Sequence, residues 1–122
     1  MKKDKQCVLT IAGSDSSGGA GIQADIKTIS ATGCYAASVI TALTAQNTLG
    51  VQSICEIKPK FVKEQLESVF TDLNIKAVKV GMLHNEKIIS TVSFALQLFK
   101  PDFIVLDPVS YTHLTLPTNR EV

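Results

Sequence analysis

The feature that most constrains this chain is the order of its apolar runs. Short β-prone runs alternate with longer runs of helical period. Residues 7–12, CVLTIA, are apolar and β-prone, as a buried strand requires. From Ala20 the spacing of Ile22, Ile26 and Ile29 marks a helix, and Gly33 closes it as a C′ glycine. Residues 35–44, YAASVITALT, predict a strand that is strongest over 38–43. In residues 51–57, VQSICEI, alternation places Val51, Ser53, Cys55 and Ile57 on one face of a half-covered strand. Pro59 then opens a helix at its N1 position, with Val62, Leu66, Val69, Phe70 and Leu73 as the apolar stripe. Residues 77–83, AVKVGML, predict a strand. Residues 86–99 predict a helix with Ile88, Ile89, Val92, Ala95, Leu96 and Phe99 turned inward. FIVLD, 103–107, is a strand with a continuous apolar run.

Alternating strands and helices, with several strands apolar on both faces, indicate an α/β fold with a mainly parallel sheet. In such sheets ligands bind beyond the C-terminal ends of the strands. Those ends carry residues 13–19, Gln46 and Asn47, Gly81 and Met82, and residues 107–109. The polar and glycine residues therefore converge on one edge of the sheet, and any site is expected there.

A chain of 122 residues suffices for one domain with a core, not two. The formal net charge is +1, which offers nothing to nucleic acid or to an anionic membrane. Lys2, Lys3 and Lys5 read as a solvated N-terminus. No apolar run approaches the ~20 residues of a membrane span. The start, MKKDKQCVLTIAG, resembles a weak secretory leader. Its apolar run is only about seven residues before a polar loop, so it reads as a buried strand. Cys7, Cys34 and Cys55 lack metal-ligand spacing and read as buried, reduced thiols, which fits a cytoplasmic protein.

The loop between the first strand and the first helix, GSDSSGGAG, raises the question of phosphate binding. A Walker A loop needs Lys after its second glycine. Gly13 and Gly18 have the spacing, but Gly19 stands in the lysine position. The dinucleotide pattern also fails, because Gly19 and Gly21 are followed by Ala24. Asp15 or Ser16 can instead accept backbone amides within the turn. Asp25 lies on the helix beside the inward stripe.

At these residues the chain resembles a known family. AGSDSSGGAGIQAD, SVITALTAQNTLGVQ, VKVGML and VLDPV are similar to the N-terminal part of hydroxymethylpyrimidine and phosphomethylpyrimidine kinases, thiamine-biosynthesis enzymes of the ribokinase-like superfamily. The likeness runs from about Cys7 to Val109, and its motifs stand in order. It implies a ribokinase-like three-layer fold, truncated to its N-terminal half. It also implies phosphorylation of 4-amino-5-hydroxymethyl-2-methylpyrimidine, and then of its monophosphate, with ATP and Mg2+, in an enzyme able to form a homodimer. By the same resemblance Gly13 borders the pyrimidine and Asp25 is an acidic position of the substrate site. Gln46 hydrogen-bonds the aminopyrimidine edge, for which a side-chain amide offers both a donor and an acceptor. Met82 and Val109 are implied as apolar walls, and Asp107 as an aspartate near the phosphoryl-transfer centre.

After VLDPV the family continues with a Met-x-Ala-x-Ser-Gly segment, and this chain does not. Residues 110–122, SYTHLTLPTNREV, are aperiodic. They hold Arg120, the only arginine, after eleven lysines. The family's magnesium-associated Asn-x-x-Glu motif, anion hole, catalytic residue and adenine pocket have no counterpart here, and His113 reads as an exposed side chain. Residues 1–109 are therefore expected to be part of a kinase domain, and 110–122 a tail from truncation or a shifted frame. The chain alone is expected to be inactive. A non-catalytic heterocycle-binding module, or another ribokinase-like enzyme such as a pyridoxal kinase, are the alternatives.

Overall fold

The computed structural model describes residues 5–106. Its elements follow in the order β1 (Cys7–Ser14), α1 (Gly21–Ala31), β2 (Tyr35–Asn47), β3 (Gly50–Glu56), α2 (Pro59–Asp72), β4 (Ile75–Val80), α3 (Glu86–Phe99) and β5 (Phe103–Leu106). They form one five-stranded sheet in the order β3-β2-β1-β4-β5. β1 pairs in parallel with β2 and β4, and β4 with β5, while β3 runs antiparallel at the edge. The mainly parallel α/β sheet expected from the sequence is thus present.

Alternation along the central strands separates two faces. Leu9 and Ile11 of β1, Val39 of β2 and Val78 and Val80 of β4 point to one side. There they form the core with Val62 and Leu66 of α2 and Ile88, Val92 and Leu96 of α3. Phe70 and Phe99 stack between these two helices, with ring centroids 4.7 Å apart and planes 4° apart. On the opposite face α1 covers β1 and β2. Two helices, the sheet and α1 make three layers.

The helix signals act as the sequence predicts. Gly33 takes a positive φ of 89°, and its amide donates to the Ser30 carbonyl to close α1. Pro59 sits in the first turn of α2. Asn85 caps α3 by accepting the Ile88 amide at 2.9 Å.

Three expectations need correction. All seven residues of β3 are exposed, not half-covered, because β3 is an edge strand that α1 does not reach. Beyond its last pair, Ala42–Glu56, β2 would be left with open backbone groups. Gln65 of α2 fills the gap: its side-chain oxygen accepts the Ile40 amide, and its amide nitrogen donates to the Ile40 carbonyl. The continuous apolar run of β5 is also not buried on both sides. Ile104 and Leu106 face the core, whereas Phe103 is 62% exposed on the face opposite α2 and α3. Finally, of the three free cysteines only Cys7 is buried, and burial pushes its thiol pKa up; Cys34 is half-buried and Cys55 is exposed on β3.

Candidate active site

A cleft of about 320 Å³ opens beyond the C-terminal ends of β1, β2 and β4, on the α1 side of the sheet. Its position agrees with the edge predicted from the glycine and polar residues. Gly13, Gln46 and Met82, three of the residues singled out in the sequence, line it. Asp107 and Val109 lie outside the described residues.

The glycine-rich loop has a definite internal function. Asp15, only 3% exposed, turns its carboxylate back into the loop. Oδ1 accepts the Ser17 hydroxyl at 2.7 Å and the Ser17 amide at 2.9 Å; Oδ2 accepts the Gly19 amide at 3.0 Å and the Ala20 amide at 2.7 Å. The Ser17 hydroxyl bond, foremost, and the three backbone amides hold the Asp15 pKa below the ordinary carboxylate value against the opposing effect of burial. The amides that a phosphate would need are therefore already engaged by the chain's own anion, at the N-terminus of α1 where negative charge is favoured. The loop that fails both nucleotide patterns in sequence is thus also closed on itself in structure.

The loop is fastened on both sides. Gln23 of α1 accepts the Asp15 amide and donates to Ser14 Oγ, each at 2.7 Å. Gly21 has a φ of +61°, and a Cβ there would run into the Gly13 carbonyl oxygen. Only glycine fits this close return of the chain. Gly13 is less constrained. A Cβ on it would stand 3.4 Å from His84 Nε2 and 3.5 Å from the Ala42 carbonyl oxygen, ordinary contacts at the cleft wall.

Ser16 ties the loop to β2. Its hydroxyl accepts the Gln46 amide at 2.8 Å and donates to the Gln46 carbonyl at 2.9 Å. Gln46 also stands at a register shift: it pairs with Val51, whereas Ala45 pairs with Ser53. The extra residue in β3 brings Val51 and Ile54 to the same side as Thr44 and Gln46, although a spacing of three would separate them on a regular strand. The result is a stretch of cleft wall on which Val51 and Ile54 lie beside Gln46 and Thr44. Thr44 Oγ1 donates to the Ser14 carbonyl at 2.7 Å and lies 3.1 Å from Gln46 Oε1.

Asp25 is placed differently from the other singled-out residues. It does not itself line the cleft; Lys79 of β4 does. Lys79 Nζ lies 3.0 Å from Asp25 Oδ1 and 2.9 Å from Oδ2, and Thr10 of β1 donates to Oδ2 at 2.7 Å. Lys79, Thr10, Thr44 and His84 were not identified from the sequence, and Ser16, read as a turn residue, accepts the Gln46 amide from β2 and not an amide of its own turn. For Lys79 a signal was present. A lysine inside the strand AVKV needs an anion on its face of the sheet, and Asp25 beside the α1 stripe was the natural partner.

The five-stranded, mainly parallel sheet with its three helices has the ribokinase-like vitamin kinases as structural neighbours. The chain is similar to the crystal structure of phosphomethylpyrimidine kinase from Clostridium difficile 630, with a TM-score of 0.83 and 53% identity over 86% of this chain and 46% of that one. It is similar to the pyridoxal kinase from Staphylococcus aureus in complex with pyridoxal at a TM-score of 0.77 and 32% identity, over 85% of this chain and 39% of that one. In sequence it is 57% identical over 101 residues to the hydroxymethylpyrimidine/phosphomethylpyrimidine kinase of Escherichia coli K12, which spans 83% of this chain and 38% of the relative. The phosphomethylpyrimidine kinase family model matches residues 15–116. The chain belongs to the phosphomethylpyrimidine kinase family. It covers between 38% and 46% of the length of these relatives.

Proposed function

We propose that this chain is the pyrimidine-binding part of a kinase. The complete kinase phosphorylates 4-amino-5-hydroxymethyl-2-methylpyrimidine and its monophosphate with ATP and Mg2+, in the cytoplasm, for thiamine biosynthesis. The observation that carries the reading is the convergence of Gly13, Gln46 and Met82 on one cleft, in a chain 57% identical to a kinase named for that substrate. The neighbouring pyridoxal kinase is much less similar, at 32% identity, which favours the pyrimidine over pyridoxal.

In this reading Gln46 contacts the aminopyrimidine edge and Met82 packs on the ring. Gly13 leaves room for the ring beside the β1 backbone, and Asp25 belongs to the same site. Val109 as a second wall, and Asp107 near the transferring phosphoryl group, are part of the proposal. So are a homodimer and the separate origin of residues 110–122.

The described residues do not fit ATP or Mg2+. The loop amides donate to Asp15, and no three His, Cys, Asp or Glu side chains group as metal ligands among the described residues. No step is therefore assigned to those groups here. What these residues supply is binding and orientation of the substrate, a large part of phosphoryl-transfer catalysis.

The test is ADP formation that depends on the hydroxymethylpyrimidine. The full-length kinase is expected to show it and the 122-residue chain is not; turnover by this chain alone would refute the division of labour. Gln46→Ala in the full-length kinase should weaken pyrimidine binding by about 1–3 kcal/mol, the cost of an unsatisfied partner. An unchanged affinity would remove the pyrimidine assignment.

A further inference from the structure

Thr10, Asp25 and Lys79 form a polar cluster where the α1 face of the sheet meets the cleft. Both oxygens of Asp25 are engaged, Oδ1 by Lys79 and Oδ2 by Lys79 and Thr10. The Asp25 side chain is 17% exposed and that of Lys79 is 37% exposed. Lys79 is the member that forms part of the cleft wall. An ammonium has three donors. Among the described residues the acceptors of Lys79 are the two oxygens of Asp25, which leaves one donor for something else.

Gly81 packs closely on the β1 wall beside that donor. A Cβ there would stand 2.9 Å from Ala12 Cβ, too close without a shift, and 3.6 Å from Lys79 Nζ, an ordinary contact. The charge of Lys79 is matched by Asp25, so the pair as a whole is a poor attractor for a phosphate. An uncharged acceptor suits it better, because one hydrogen bond from a charged donor is strong without requiring net charge.

Building on the function proposed above, we infer that Lys79 donates a hydrogen bond to an uncharged acceptor of the heterocycle, a ring nitrogen, while Asp25 and Thr10 are positioning residues that hold the ammonium in place. Gln46 and Lys79 then read the ring from two strands, β2 and β4.

The experiment uses the full-length kinase, steady-state kinetics, and two analogues in which one or the other ring nitrogen is replaced by C–H. Lys79→Met is expected to raise KM for the hydroxymethylpyrimidine about tenfold or more, with KM for ATP unchanged and kcat within about threefold. The wild type should use one analogue about tenfold less well than the parent pyrimidine, and Lys79→Met should lose that discrimination. If Lys79 only balances the charge of Asp25, the neutral pair Lys79→Met/Asp25→Asn will restore KM and keep the discrimination, and the inference falls. The same double variant carries the test if Lys79→Met alone does not fold. Lys76→Met, at an exposed lysine on the same strand, is the control and should change nothing. If the wild type does not phosphorylate the pyrimidine, the functional reading falls and this inference with it. If the wild type turns over and Lys79→Met has an unaltered KM, only the inference falls.

Discussion

Asp15 and Asp25 stand ten positions apart and serve opposite ends. Every acceptor bond of Asp15 comes from within five residues, from Ser17, Gly19 and Ala20. Its carboxylate closes the loop on itself. The partners of Asp25 lie 15 and 54 residues away, on β1 and β4, and one of them forms the cleft wall. The contrast teaches how to read an aspartate in a glycine-rich entry to a helix. When nearby amides satisfy the carboxylate, it is part of the scaffold. When its partners come from other strands, it positions their side chains, as Asp25 holds Lys79 at the cleft wall.

The sharpest way to break the Asp15 side of this comparison is Gly21→Ala. It adds left-handed strain and a clash with the Gly13 carbonyl, so a loss of about 3 kcal/mol or more is expected in denaturant unfolding. On the Asp25 side, Lys79→Met leaves a mostly buried carboxylate without its cation. About 2 kcal/mol is expected, less than for a fully buried pair because Lys79 is partly solvated. Adding Asp25→Asn should return most of that, and if it does not, the ion pair is not the origin of the loss.

Acid tests the Asp15 loop again. The folded pKa of Asp15 is depressed, so its contribution to stability is complete above about pH 4 and declines as pH falls through the lowered value. Unfolding free energies measured on either side of that range should show the decline, and Asp15→Asn should flatten that part of the profile. Ser16→Ala removes two exposed bonds to the Gln46 backbone and should cost about 1 kcal/mol. Faster hydrogen exchange at the Gln46 amide would report the loosened tie directly. Smallest is Lys76→Met, which breaks an exposed pair with Asp102 and should cost less than about 0.5 kcal/mol by thermal melting.

Much of the architecture was legible in the chain. The order of elements, Gly33 and Pro59 at helix boundaries, and the convergence of Gly13, Gln46 and Met82 on one edge all follow from patterns read within a few residues. Strand ends were less well placed. β2 extends to Asn47 because it pairs with β3 as a hairpin, and β4 ends at Val80 before the Gly81–Met82 turn into the cleft. The exposure of β3 and of Phe103 could not be read from alternation, since a strand's own pattern does not say whether a helix will cover it.

The sequence by itself determined that this is an α/β chain with its glycine and polar residues gathered at the strand ends, where the cleft lies, and that its glycine loop lacks the lysine of a phosphate cradle. Periodicity and turn chemistry are local, and they act before any distant residue is in place. Only the tertiary structure decided that the loop amides close on Asp15, that Ser16 clasps Gln46 across 30 residues, and that Lys79 stands between Asp25 and the cleft. Those outcomes depend on which strands neighbour one another and on one extra residue in the β2–β3 register. Pairing and register are set by the packing of the whole sheet, which no short stretch of the chain contains.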